Sequence, residues 1–212
     1  MTKSSILCCW ALALAVLACG TTSTTATTVT NVPTAWKNPA FSGPGLARIF
    51  VIGVHADDAT RRQFEDHLAR ELAKHRVVAE PSYTHLPDSS RLSEAAVREA
   101  IADGDFDGVT ITRLVGREEE KTYVPGRSHE TAVTPTGGYY GYYRTSWEVV
   151  HEPGYYKTNT TVHLETSLYD LQSRSKVWDG KSDTMNPNSV ADVIESASRA
   201  IAKQMKKDGV LR

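Results

Sequence analysis

Ile49-Phe50-Val51-Ile52-Gly53-Val54 is an unbroken apolar run, preceded by Pro44-Gly45 and followed by His55-Ala56-Asp57-Asp58. Apolar residues at every position, rather than every second one, describe a strand covered on both faces at the centre of a sheet. Asp57 and Asp58 then offer a helix cap, and Phe64, Leu68 and Leu72 recur every fourth residue behind it. That spacing puts the three on one face of a helix over about Ala59 to His75, with Arg61, Arg62, Glu65 and Asp66 available for the solvent side. Arg76-Val77-Val78-Ala79-Glu80 reads as a second strand, stopped by Pro81.

A second helix opens at Ser93, where Leu92 and Val97 stand as a hydrophobic staple around an N-cap serine. It turns Val97, Ala100 and Ile101 inward and ends near Gly104, and Val109 to Val115 follows as a third strand. Two successive right-handed crossovers make these three strands the parallel part of one sheet.

Beyond Gly116 the pattern changes. Charged Arg117 to Lys121 lead into Tyr123-Val124-Pro125-Gly126, then Gly137-Gly138-Tyr139-Tyr140-Gly141-Tyr142-Tyr143, then Glu152-Pro153-Gly154-Tyr155-Tyr156. This is read as an irregular excursion over about 117–158 with strand-like arms such as Thr145 to His151. Val162, Leu164, Thr166 and Leu168 then alternate with polar residues, the period of a half-buried antiparallel strand, and a turn near Gln172-Ser173 returns the chain through Val177 and Trp178. The last helix starts at Asn188-Ser189, with Asp192 as a capping-box variant. Val190, Val193, Ile194, Ala197, Ile201 and Met205 form its buried stripe, and Gly209 ends it. Lys203, Lys206 and Lys207 suit the negative end of its dipole. The expected fold is α+β: a mixed β-sheet with a βαβαβ start and then antiparallel strands, covered by about three helices, in one domain over residues 35–212.

Upstream, Lys3 precedes an apolar core from Ile6 to Leu17, the build of an export signal over residues 1–18 and too short to span a bilayer. Val16-Leu17-Ala18-Cys19-Gly20 has the form of a bacterial lipobox, so Cys19 is expected to carry the acyl chains that tether the protein to a membrane. The Thr-rich stretch up to Thr34 lacks apolar periodicity and is read as a tether over 19–34. Cys8 and Cys9 leave with the signal, and no thiol remains for a disulfide. With Lys3 gone, 23 basic residues face 25 acidic ones and are scattered along the chain, which argues against a nucleic-acid partner.

Catalytic signatures are absent from the sequence. None of the seven histidines has a metal-ligand spacing, so neither a metal nor a cofactor is expected. Gly137 to Gly141 lacks the helix start that a phosphate loop needs, and Glu118, Glu119 and Glu120 read as a solvated charge run. His55 and Asp57 follow the first strand, where α/β folds often hold ligands, although capping alone explains Asp57. The tyrosines are unusual: seven of nine lie between Tyr123 and Tyr156. Tyr139, Tyr140, Tyr142, Tyr143, Tyr155 and Tyr156 suit contact with a protein or a sugar, or mutual packing along a hairpin.

Trp36-Lys37-Asn38-Pro39, Phe50-Val51-Ile52-Gly53-Val54, Arg61-Arg62 before Phe64-Glu65-Asp66, Pro81-Ser82-Tyr83, Thr112-Arg113-Leu114-Val115, Tyr123-Val124-Pro125-Gly126, Leu164 to Asp170 and Val177-Trp178 resemble a family of uncharacterised Gram-negative envelope lipoproteins. At the level of fold the βαβα start is similar to the N-terminal domain of the Tol-system β-propeller protein and to the curli secretion lipoprotein. The resemblance implies no activity. In enteric bacteria Asp after the lipidated cysteine marks inner-membrane retention, and Gly20 in its place implies the periplasmic face of the outer membrane. The leading expectation is a noncatalytic interaction module with an envelope protein partner. The alternatives are a glycan or small-ligand binder and an exported hydrolase.

Overall fold

The computed structural model describes residues 28–88, 93–126 and 154–212. The signal segment, Cys19, Tyr139, Tyr140, Tyr142, Tyr143 and the arm Thr145 to His151 lie outside the described residues. Strands β1 (Val29–Lys37), β2 (Arg48–Val54), β3 (Val78–Pro81), β4 (Gly108–Val124), β5 (Tyr155–Asp170) and β6 (Ser175–Met185) form one sheet in the order β1-β6-β5-β4-β2-β3. Strands β2, β3 and β4 are parallel, and the remaining pairings are antiparallel. Three α-helices stand among the described residues, α1 (Asp58–Ala73), α2 (Glu94–Asp103) and α3 (Val190–Lys207), giving the α+β fold expected.

The apolar run of β2 feeds two separate cores, as a central strand must. Ile49 and Val51 face α1 and α3, packing with Phe64, Leu68, Leu72, Leu168, Trp178, Ile201 and Met205. Phe50 and Ile52 face α2, packing with Ala100, Val109 and the half-buried Val97 and Ile101. Each helix has a side-chain cap. Asp57 Oδ2 accepts from the Thr60 amide at 2.8 Å, Ser93 Oγ from the Ala96 amide at 3.2 Å and Ser189 Oγ from the Asp192 amide at 3.1 Å. Gly209 ends α3 at φ +66°, a conformation that costs glycine nothing.

Four sequence expectations are corrected. Residues 29–34, expected to belong to the tether, lie in β1, an edge strand whose β-branched residues pair antiparallel with β6. The Thr30 and Thr184 hydroxyls meet at 2.7 Å across that ladder, and its register shifts between Asn31 and Thr34, around Pro33, which has no amide to donate. The excursion expected from residue 117 is regular at both ends, because β4 and β5 stay paired as far as Val124 and Tyr155. Arg61 and Glu65, expected on the solvent side of α1, are fully buried. Val190, expected in the buried stripe of α3, is 60% exposed, since the first residue of that helix projects past the edge of the core. As expected, β3 ends at Pro81, which still pairs with Val51, as an outermost strand tolerates.

The two ladders flanking the β4–β5 pair stop early. Strand β2 leaves β4 at Arg113, and β6 leaves β5 at Thr161. From Glu119 and Thr160 to Val124 and Tyr155 the sheet is therefore, among the described residues, a two-stranded ribbon, six residue pairs or about 20 Å long at the usual strand rise. Val29, Met185, Thr161 and Glu118 stand in register across four strands at its root, so β1 begins at the pole from which the ribbon extends.

Candidate ligand cavity and tyrosine ribbon

The carboxyl end of β2 and the middle of β4 meet the N-terminal turns of α1 and α3 around a cavity of about 220 Å³. Phe64, Leu164, Val193 and Ile194 form its apolar interior, with Val54, Leu114, Val162 and Val190 also lining it. Val54, Leu114 and Val190 are among the most exposed large apolar side chains of the described residues, so they form its lips. Val115 sits in a bulge where the β4–β5 register shifts, and this bend sets Leu114 and Arg117 toward the same opening. His55 and Arg117 are the charged or titratable groups at the mouth, and no acid lines it.

Beneath Gly53 a buried polar cluster fixes this end of β2. Glu65 accepts from the Gly53 amide at 2.9 Å, the Ser82 hydroxyl at 2.6 Å and the Tyr83 amide at 3.0 Å. Arg61 donates to Ser82 Oγ at 3.2 Å and to the Leu86 carbonyl at 2.9 Å, and pairs with Asp58 at 3.2 Å and Glu65 at 3.6 Å. Arg61 also lines the cavity, but its guanidinium is held by these partners. Burial pushes the Glu65 pKa up, opposed by hydrogen bonds from Ser82, Gly53 and Tyr83 and by the Arg61 charge. The cluster ties β2, α1 and the 3-10 turn Ser82–Thr84 into one unit.

His55 and Asp57 stand together but do different work. The Asp57 carboxylate takes both the Thr60 hydroxyl, at 2.6 Å, and its amide, and these bonds hold its pKa below the ordinary value. His55 Nδ1 lies 3.0 Å from the Asp57 amide and 3.2 Å from the Asp57 carbonyl, so the Asp57 backbone holds the ring in place. His55 lines the cavity, whereas Asp57 does not. Sequence reasoning missed Leu114, Arg117 and Val190 as a site because the opening is assembled from segments spread between Gly53 and Ile194.

On the ribbon, Tyr123 and Tyr156 face each other across the ladder, their ring centroids 5.2 Å apart and tilted by 54°. Tyr155 pairs with Val124 on the opposite face. All three tyrosines are more than half exposed, Tyr156 at 73%. At the ribbon root His163 Nδ1 lies 2.7 Å from Asp183, and its buried Nε2 has no hydrogen-bond partner, with Glu118 3.7 Å away. Among the described residues no three His, Cys, Asp or Glu side chains converge as a metal site, and no helix is long and apolar enough to cross a membrane.

No protein-family model matches the sequence, and neither does any curated protein. Solved structures similar in outline include the PelC dodecamer from Paraburkholderia phytofirmans, 13% identical, covering 87% of this chain and 100% of that one at a TM-score of 0.44. The lipoprotein GNA1162 from Neisseria meningitidis is 12% identical, covering 76% of this chain and 99% of that one at 0.41. A PDZ domain protein from Parabacteroides distasonis is 11% identical, covering 85% of this chain and 37% of that one at 0.36. At these scores none of them bears on what this chain does.

Proposed function

We propose that this protein is a noncatalytic, lipid-anchored module of the bacterial envelope, held by Cys19 at the periplasmic face of the outer membrane, whose tyrosine ribbon binds a protein partner. One observation carries the reading: a two-stranded ribbon stands clear of the sheet and bears Tyr123, Tyr155 and Tyr156 in the open. A two-stranded ribbon is marginal in water by itself, and among the described residues no third strand pairs with its outer edges, which another chain can complete. Tyrosine adds contact area at little entropic cost. The commitment of Asp57 to its helix cap supports the noncatalytic part, because it leaves His55 without the carboxylate that orients a general base.

The test is site-specific photocrosslinking from position 156 in living cells, with a control position at exposed Val78 on the far edge of the sheet. One discrete adduct with an envelope protein, lost when Tyr123 and Tyr155 are changed to Ser, supports the proposal. Adducts equal to those from position 78 overturn it, and capture of peptidoglycan alone transfers the role to glycan binding. For the anchor, Cys19→Ala is expected to move the protein from the membrane fraction to the soluble periplasm, and unchanged membrane retention refutes lipidation.

A further inference from the structure

We propose that the cavity between the carboxyl end of β2 and the middle of β4 binds an aliphatic chain ending in a carboxylate, a medium-chain fatty acid being the simplest such ligand. This site is separate from the ribbon and does not depend on what the ribbon binds.

Three features converge on that class. The interior is made by Phe64, Leu164, Val193 and Ile194, so it rewards an apolar group and offers a sugar or a nucleotide few hydrogen bonds. Its 220 Å³ accommodates roughly seven units of water or methylene size at about 30 Å³ each, the length of a medium chain rather than a ring system with polar substituents. The exposed lips Val54, Leu114 and Val190 extend the apolar path outward.

The mouth selects the head group. Arg117 and His55 line it with no acid among the lining residues, so the local charge favours an anion. Arg117 pairs with Glu119 at 2.9 Å, but both side chains are more than half exposed, and such a pair contributes little and exchanges readily. An Arg guanidinium meets a carboxylate through two parallel hydrogen bonds, which a hydroxyl cannot reproduce. His55 adds a second nitrogen-bearing group at the same mouth, its ring held by the Asp57 backbone. Arg61 is excluded as the head-group ligand, since Ser82, Leu86, Asp58 and Glu65 already occupy it.

The experiment is calorimetric titration of the mature chain from residue 19, carrying Cys19→Ala so that no acyl group of its own competes, with decanoate and with decan-1-ol. Decanoate is expected to bind at one per chain and more tightly than the alcohol. Arg117→Gln is expected to weaken decanoate about tenfold and leave decanol unchanged, with Arg117→Lys restoring part of the loss. Val190→Asp, at an exposed lip where the fold is not at stake, is expected to weaken decanoate at least as much. Absence of decanoate binding, or binding that Arg117→Gln and Val190→Asp both leave untouched, overturns the proposal. Neither result alters the crosslinking outcome at Tyr156.

Discussion

The guanidinium of Arg61 and the carboxylate of Glu65 lie 3.6 Å apart on successive turns of α1, and neither side chain reaches solvent. Desolvating two charges is costly, and the pair persists because donors and acceptors from β2, Ser82, Tyr83 and Leu86 saturate both ends. Removing one partner strands the other. Arg61→Met is therefore expected to cost about 3–5 kcal/mol of unfolding free energy, more than any exposed ion pair of the chain, as read from urea midpoints. A cost under about 1 kcal/mol would mean that the cluster is solvated in solution.

Glu65 also ties stability to pH. Burial raises its pKa above the ordinary 4.5, so the folded protein holds a proton at pH values where the unfolded chain has released it. The sign follows from linkage: the contribution of this group is complete below the unfolded value and is lost as pH rises through the folded one. Wild-type urea midpoints are expected to fall relative to those of Glu65→Gln as pH is raised from 4.5 across that window. Parallel pH profiles for the two proteins would sink the assignment.

Gly180 makes room for Trp178. A Cβ on Gly180 would sit 2.3 Å from the Trp178 ring, whose Nε1 donates to Asp208 at 2.7 Å and ties the end of α3 to β6. Gly180→Ala must either tilt the buried indole or break that bond. The expected cost is about 1–3 kcal/mol, with a change in the near-ultraviolet circular dichroism of tryptophan.

Ser189 caps α3 through the Asp192 amide, and Asp192 returns a bond to the Asn188 amide at 3.1 Å. Ser189→Ala is expected to lower stability by about 1 kcal/mol. Val190→Ala, one residue on but exposed, is expected to stay within about 0.5 kcal/mol of wild type in the same chemical denaturation series.

Elements with a local signature were legible in the sequence. The run Ile49 to Val54 fixed the central strand because apolar side chains on both faces require cover on both. Serine and aspartate caps marked the start of each helix, and the alternation after Val162 marked β5. What depended on distant partners was not legible. Strand β1 finds its partner some 150 residues away in β6, and its threonines carry the same pattern as a tether. The acidic run Glu118 to Glu120 is polar on both sides because both sides of the ribbon face water, so no period announces a strand there. Arg61 and Glu65 did leave a signal. They fall in line with Leu68 and Leu72 at spacings of four, three and four, so the charged pair belongs to the inward stripe of α1. The cavity offered no such clue, since its wall is drawn from β2, α1, β4, β5 and α3.

That β1 starts beside the root of the ribbon has a mechanical consequence. Eight residues lie between Cys19 and Thr28, whose carbonyl accepts from Ser196 on α3, and the nine steps from one to the other span at most about 30 Å. Under the anchor proposed at Cys19, the body would hang like a buoy on a short mooring, its tyrosine arm rising from the moored end. Whatever grips that arm is then sought close to the bilayer, within one body length of it.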